Sequence, residues 1–564
     1  MNPISRNKFY LKKLLLKTIQ ITLLFSMILG GWSVNLVAQI NLHIGFTQEQ
    51  FTNSLALNQD WNSKEMTRVL WPLVYSQLWI LGPAPEYQAL PGLAMKWETE
   101  DNRTWKFYLT PEASFSDGYP VTARDVVFSL ELLSKQDLAW KTRDMNFESF
   151  EVIDDYTFKV TLMEAYSGSY PPFFRKPVLP RHIWENHQNS PADFPNSNLV
   201  GSGPYQLAEP ATGEMIRLIA RENRTGIEAK YDALIFLSFA NSQLMVSALK
   251  QRIIDLLGHD GIDPLNATAF DSVEGIKNII TEGTELHWLS FNLAKKTSIS
   301  NIDVRKAIMH SINRKEIIAQ VFRGYAREIS SFIYAELINF YPTSIKYNYD
   351  PNEAIRILDR ADYIDTNNNG IRNDRKLNQD LSFSLLVLNN NESHIDMANL
   401  IKKQALKIGI QINLMKVAPF IYYSFLTNPV GGGFDIAINS QSHDPVSVND
   451  FWNTMRSDED LYNNFNSSHY INYAFDRILD KMLTTSSFLR QSKYLQLMQE
   501  ILAEDLPYGL LVRQYKICPA RDENGYNFVK AMGGISSGIN IWSYVSENTD
   551  VIQENRVEGV GLSW

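Results

Sequence analysis

Between Pro91 and Leu133 the chain reads PGLAMKWETEDNRTWKFYLTPEASFSDGYPVTARDVVFSLELL. This run sets a strand, a turn and a helix in a fixed order. Trp105, Phe107 and Leu109 alternate with Lys106 and Tyr108, the period-two pattern of a strand with one buried face. Asp117-Gly118 marks a tight turn, because glycine accepts positive φ and Asp bonds its own backbone. Thr122 and Asp125 have the spacing of a capping box, which opens a helix carrying Val126, Val127 and Leu130.

The first residues speak to compartment. Arg6, Lys8, Lys12, Lys13 and Lys17 form a basic start, an apolar run follows around Ile21 to Leu29, and the run ends near Val37-Ala38-Gln39. That is the layout of a secretory signal peptide over 1–38, cleaved after Ala38. The competing reading is an uncleaved anchor, but Gln20, Thr22, Ser26 and Asn35 interrupt a span that needs about 20 mostly apolar residues. Cys518 is the single cysteine of 564 residues, so neither an N-terminal lipid on cysteine nor an intrachain disulfide is expected. A soluble periplasmic protein is the expectation. The formal net charge is −9, and removing five leader cations takes the mature chain to about −14. Nucleic acid is a poor partner for such a surface, because its phosphates need basic groups.

Further along, residues 40–46 read as an opening strand, and Val69 to Ile80 as one buried helix. Asp154-Asp155 marks a turn within Val152 to Val160. Val200-Gly201-Ser202-Gly203-Pro204-Tyr205 fixes a bend before a strand. That bend lacks the Lys-Ser/Thr of a phosphate loop and the third glycine of a dinucleotide fingerprint. Val304, Ala307, Ile308, Ser311 and Ile312 share one helical face, and Phe475, Ile478, Leu479, Met482 and Leu483 share another. Ile395 to Lys407 is helical with Gly409 as its C′ residue, and Ile410, Ile412 and Leu414 alternate as a strand.

The order of these parts resembles the family 5 extracellular solute-binding proteins, the capture subunits of peptide and nickel ABC importers. The resemblance rests on Pro91–Leu133, Val178–Asn186, Val200–Tyr205, Ala248–Asp255, Trp288–Asn292, Asp303–Arg314 and Tyr349–Leu358, and covers about residues 65–510. Arg252 stands where the family usually has glycine. The resemblance implies an α/β, two-lobed periplasmic-binding-protein-like fold of class II type, with the ligand cleft between lobes. Lobe 1 would comprise 39–81, 173–285 and 510–564, with an inserted subdomain at 82–172, and lobe 2 would be 286–509. It also implies a monomer that serves ABC permease membrane subunits.

The segment from Phe434 to Pro445 resembles the family region whose aspartate pairs with the α-ammonium of a bound peptide; Asp444 takes that place. A buried carboxylate facing an ammonium makes a charge-assisted hydrogen bond, which selects an amine without reading side chains. Ile438, Asn439, Ser440, Gln441 and His443 join Asp444 as ligand-binding candidates, and the main chain from Ile436 to Ser440 is expected to pair with an extended peptide. Gln441 replaces the family's tryptophan, which opens the ligand class to an oligosaccharide or a metal chelate. His443 suits either a metal or an ordinary surface loop. Trp61, Trp71, Trp79, Trp288, Tyr422, Tyr423, Phe451 and Trp452 are aromatic candidates for cleft walls or core.

Asp365, Asn367 and Asn369, with Gly370 and Asp374, look like a structural Ca²⁺ loop, since oxygens at positions 1, 3 and 5 with glycine at 6 suit a hard cation. Lys376 stands where an EF-hand needs Glu, so a polar Asx-rich turn is the competing reading. No other cofactor is expected. No HExxH and no plausible nucleophilic cysteine appears, so an enzyme is not expected; a secreted hydrolase and a sensor-reporting receptor are the alternatives of another class.

Overall fold

The computed structural model describes residues 40–521 and 543–545, without 53–54, 56–64, 82–88, 136–137, 139–144, 167–170, 222–226, 259–261, 263, 333–346, 429–432, 443–454, 458–465 and 486–487. The leader, Trp61, His443, Asp444, Phe451 and Trp452 therefore lie outside the described residues. Among the described residues no helix is long and apolar enough to cross a membrane.

Two large sheets organise the chain. The first has seven strands in the order Ile276–Thr281, Lys516–Arg521, Leu256–Leu257, Asn41–Thr47, Ala233–Phe239, Met215–Ala220, Tyr205–Leu207. Its opening strand runs parallel to Ala233–Phe239 from Asn41↔Ala233 to Thr47↔Phe239. Leu42, Ile44 and Phe46 are fully buried from this strand. The second sheet has six strands, ordered Ala326–Glu328, Tyr508–Gln514, Glu285–Phe291, Ile436–Ser442, Ser382–Leu388, Gln411–Val417. Ser382–Leu388 and Gln411–Val417 are parallel, joined by the helix Glu392–Leu406. That helix ends at Gly409 with φ +78°, where a side chain would be strained.

A separate four-stranded sheet carries the stretch that opened the sequence reading: Ala94–Glu98, Thr104–Leu109, Thr157–Leu162, Phe147–Val152. Trp105, Phe107 and Leu109 are buried to 2%, 0% and 2% exposure, each contributing about 1.5–3 kcal/mol by leaving water. On the opposite face Lys106 Nζ lies 4.8 Å from the Tyr108 ring centre. The Asp125 carboxylate accepts from the Thr122 N–H at 2.8 Å and its hydroxyl at 2.7 Å. Its other oxygen accepts the Arg181 N–H at 3.0 Å, so the cap also fastens the next segment.

The 69–80 stretch differs from expectation. The helix Glu65–Val74 contains Pro72 and stops two residues later, and Trp79–Leu81 is a strand. Ser76 turns away to bond the Ser202 carbonyl at 2.8 Å. That contact explains the neighbouring glycines. A Cβ on Gly201 would come within 2.0 Å of the Val74 carbonyl oxygen, and one on Gly203 within 2.3 Å of that of Leu73. The bend serves close backbone packing.

Helix Ile302–Ser311 buries Val304, Ala307, Ile308 and Ser311 as expected. It also buries Arg305, whose guanidinium donates to the carbonyls of Leu506, Ile299, Ser300 and Asp505 at 2.7–2.9 Å. The charge gathers loop carbonyls that would otherwise lack donors.

Candidate functional site

The two sheets are connected twice, and the connections lie side by side. Thr281↔Lys516 is the last pair of the first sheet, and Leu286↔Arg513 opens the second. The crossings are thus 282–284 and Tyr515. Leu510 to Gln514, which sequence reading gave to lobe 1, belong to the second sheet. The cause is continuity of pairing: Tyr508–Gln514 stays hydrogen-bonded to Glu285–Phe291 until the chain crosses.

A Cβ on Gly283 would meet the Gln514 carbonyl oxygen at 1.9 Å, so the crossings touch through backbone. Beside them Arg513, 1% exposed, places its guanidinium 2.6 Å from the Glu282 carboxylate, and Arg327 adds a contact at 3.4 Å. Burial pushes the Glu282 carboxyl upward, and Arg327 opposes that shift.

Strand Ile436–Ser442 pairs antiparallel with Glu285–Phe291 along its whole length, from Ile436↔Phe291 to Ser442↔Glu285. It therefore ends where the crossings begin. On its other side Ser382–Leu388 pairs only with Ile436 and Ala437. The main chain at those two residues is already flanked by strands, so an extended ligand has no edge there. Ile438 is fully buried in the core beneath the sheet, and its carbonyl accepts from the Tyr422 hydroxyl. Asn439 is buried too: its amide donates to Ser290 Oγ at 2.7 Å, and its carbonyl oxygen lies 2.9 Å from the Tyr422 hydroxyl. The side chains of Ile438 and Asn439 are thus engaged inside the lobe. Ser440 is half-buried and Gln441 exposed, and these reach the open end of the strand.

The Asn439 contact belongs to a network that sequence did not reveal. Ser290 Oγ also takes the Trp288 indole N–H at 3.2 Å and lies 2.7 Å from Ser467 Oγ. Burial pushes the Tyr422 phenol well up, so it stays a hydrogen-bond donor. Of the aromatic candidates, Trp71, Trp79, Trp288 and Tyr422 are core residues, and Tyr423 is half exposed. Asp435 serves the fold: Lys295 Nζ is 2.9 Å from one oxygen, and the other accepts the Ser384 N–H at 2.8 Å.

The Asp365 loop is built from Asx turns. Asp365 accepts the N–H groups of Asn369 at 3.2 Å and Gly370 at 2.9 Å. Asn367 accepts from the Asn369 N–H at 3.1 Å, and Asn369 from the Ile371 N–H at 2.8 Å. Asp374 departs from the grouping that sequence suggested. It is buried, accepts from Ser298 Oγ at 2.6 Å and from the Lys376 N–H at 2.9 Å. Asp380 faces the loop instead, taking the Asn369 amide at 2.8 Å. Among the described residues, no three His, Cys, Asp or Glu side chains are placed to hold a metal ion.

The sequence profile of bacterial extracellular solute-binding proteins, family 5 Middle, matches residues 88–463. The chain belongs to this family. It is 25% identical over 359 residues to the nickel-binding periplasmic protein of Escherichia coli, covering 61% of this chain and 66% of that one, just under two thirds. It is 23% identical over 449 residues to the probable D,D-dipeptide-binding periplasmic protein DdpA of the same organism, covering 77% and 81%. In structure it resembles the periplasmic binding protein DppA of Helicobacter pylori in complex with the peptide STSA, at TM-score 0.62 and 22% identity, covering 89% of this chain and 98% of that one. The fold is the two-lobed fold of periplasmic binding proteins.

Proposed function

We propose that this family 5 protein is the periplasmic substrate-binding component of an ABC importer and that its cargo is a short peptide. The observation that carries the reading is the ending of strand Ile436–Ser442 beside two touching crossings. A ligand held there lies where a small rotation of one lobe encloses it. Binding then shifts the population from open to closed, and no bond is made or broken. The protein works as a monomer that presents cargo to permease subunits in the membrane. Asp444, two residues beyond the strand, takes the peptide ammonium, while Ser440 and Gln441 meet its polar backbone. An enclosed peptide must find partners for every such group. Glutamine in place of tryptophan leaves the pocket wall polar and wider.

A metal chelate is the second reading, favoured by the likeness to a nickel-binding relative. Its loop residue would be His443. Mass spectrometry of the protein purified without denaturation separates the two. Recovery of short peptides, with thermal stabilisation by a synthetic tetrapeptide pool, is the expected result. Recovery of nickel or an organic chelate, with no shift by peptides, would overturn the peptide assignment.

A further inference from the structure

His287 and His394 are buried to 2% and 1% exposure in the second lobe, and their rings meet edge to face at 5.6 Å. Neither ring nitrogen of His394 has a hydrogen bond, and the Gln514 side chain is the one hydrogen-bond partner given to His287. A neutral imidazole always carries one N–H, so the His394 donor is buried without an acceptor. Two apolar side chains would fill the same space without that penalty. What the histidines add is the ability to take up a proton.

Their position gives that ability a target. His287 stands opposite Ser440 in the sheet. Glu285, two residues earlier and adjoining the crossing, places its carboxylate 4.0 Å from His287 Nε2 and also bonds the Ser440 hydroxyl. The groups packed around the pair come from several elements. Gln514 and Lys516 flank the returning crossing, and the Phe322 ring lies 5.3 Å from His287. Glu285 and Lys516 are the charges that act on the pair.

We infer that Glu285, His287 and His394 form a proton-responsive brace, which holds Ser440 in its ligand-binding position at neutral pH and releases it on acidification. The inference rests on the reading that ligand is bound at the end of strand Ile436–Ser442.

At neutral pH both rings are uncharged and Glu285 is free to hold Ser440. A proton on His287 turns the 4.0 Å approach into an ion pair, and the carboxylate leaves Ser440 for it. Only one ring charges at a time, since two cations this close in a dry interior repel strongly. Burial holds the His287 ring below the usual imidazole range and Glu285 opposes it; burial with the neighbouring His287 holds His394 down to about 3. Both shifts have one sign. The closed arrangement binds fewer protons than a loosened one below about pH 6.5, so it loses stability as pH falls from there. The Glu285 carboxyl is also held low: burial works against its charge, but His287, Lys516 and the Ser440 hydroxyl outweigh it. It stays ionised through this window.

The test compares the intact protein with the double variant His287→Phe/His394→Leu and with Glu285→Gln. Hydrogen exchange without ligand, corrected for intrinsic rates, reads the brace directly. Amides of 285–287 and 440 are expected to lose protection between pH 7.5 and 5.5 in the wild type and to keep it in the double variant. Affinity for a tetrapeptide pool is expected to fall about tenfold over that range, the effect of one linked proton across the pH unit below 6.5, in the wild type alone. Glu285→Gln, which leaves both histidines in place, is expected to bind weakly at both pH values. Equal pH dependence in all three proteins would overturn the brace, as would ordinary histidine titration near pH 6.5 by NMR. Failure of any peptide to bind at pH 7.5 would reject the functional reading, while the exchange measurement still decides the brace.

Discussion

Gly283 and Gln514 are in contact through backbone alone: a Cβ on the glycine would sit 1.9 Å from the glutamine carbonyl oxygen. The two chains that join the sheets therefore act as one narrow strap. Gly283→Ala must push them apart, and separation at the pivot alters every geometry beyond it. Overpacking of this kind costs about 1–3 kcal/mol. We expect a thermal midpoint lowered by a few degrees, and ligand-induced compaction in solution scattering reduced or lost. A variant with unchanged compaction would show that the strap tolerates spreading.

Tyr422→Phe removes the hydroxyl that meets the Ile438 carbonyl and Asn439. The buried acceptors then lack their donor, at a cost of about 1–3 kcal/mol. Denaturant unfolding should register that loss. Binding should weaken as well, because the strand that ends at Ser440 is no longer pinned. Loss of stability with affinity unchanged would confine Tyr422 to packing.

Asp444→Asn tests the proposed ammonium contact. Calorimetry with a tetrapeptide should show affinity weakened by about 2–5 kcal/mol if the carboxylate faces a buried cation. N-acetylation of the peptide should have a similar effect on the wild type and little further effect on the variant. Equal affinity of Asn and Asp proteins would remove Asp444 from the site.

Arg252 has φ +63°, in the left-handed region where side chains are strained. Glycine, the residue that family resemblance places there, accepts this conformation. Arg252→Gly should raise unfolding stability by up to about 1 kcal/mol, read from the urea midpoint with an unchanged slope. A lowered midpoint would mean that the arginine side chain contributes more than its backbone costs.

Local structure was legible wherever one residue's chemistry decided it. Alternation at Trp105 to Leu109, the Thr122–Asp125 cap and Gly409 each depend on near neighbours in sequence, and each is present in the fold. The strand after Val74 was not legible. Its residues are as apolar as a buried helix, and only the long-range contact of Ser76 with Ser202 shows why the helix stops. The candidate site was half legible for the same reason. The motif around Asp435 located the strand, but the sequence does not say which of its side chains face inward. The Asn439 side chain is held by Tyr422 and Ser290, and Ile438 packs into the core on the other face of the strand, through residues distant in sequence. Glu285 and His287 gave no signal, since neither belongs to a recognisable spacing with His394.

The order of the seven-stranded sheet has a consequence for how the protein is made. Asn41–Thr47 waits for Ala233–Phe239 and Leu256–Leu257, and Ile276–Thr281 waits for Lys516–Arg521. A chain emerging from its N-terminus holds an unfinished sheet edge until nearly all of it has appeared. Pairings this far apart in sequence form slowly. The second lobe, interrupted only by its return strand, can assemble while the first still waits. The strand Lys516–Arg521 therefore completes the first sheet only after the second lobe has been made, and the crossing that leads into it joins the two sheets a second time.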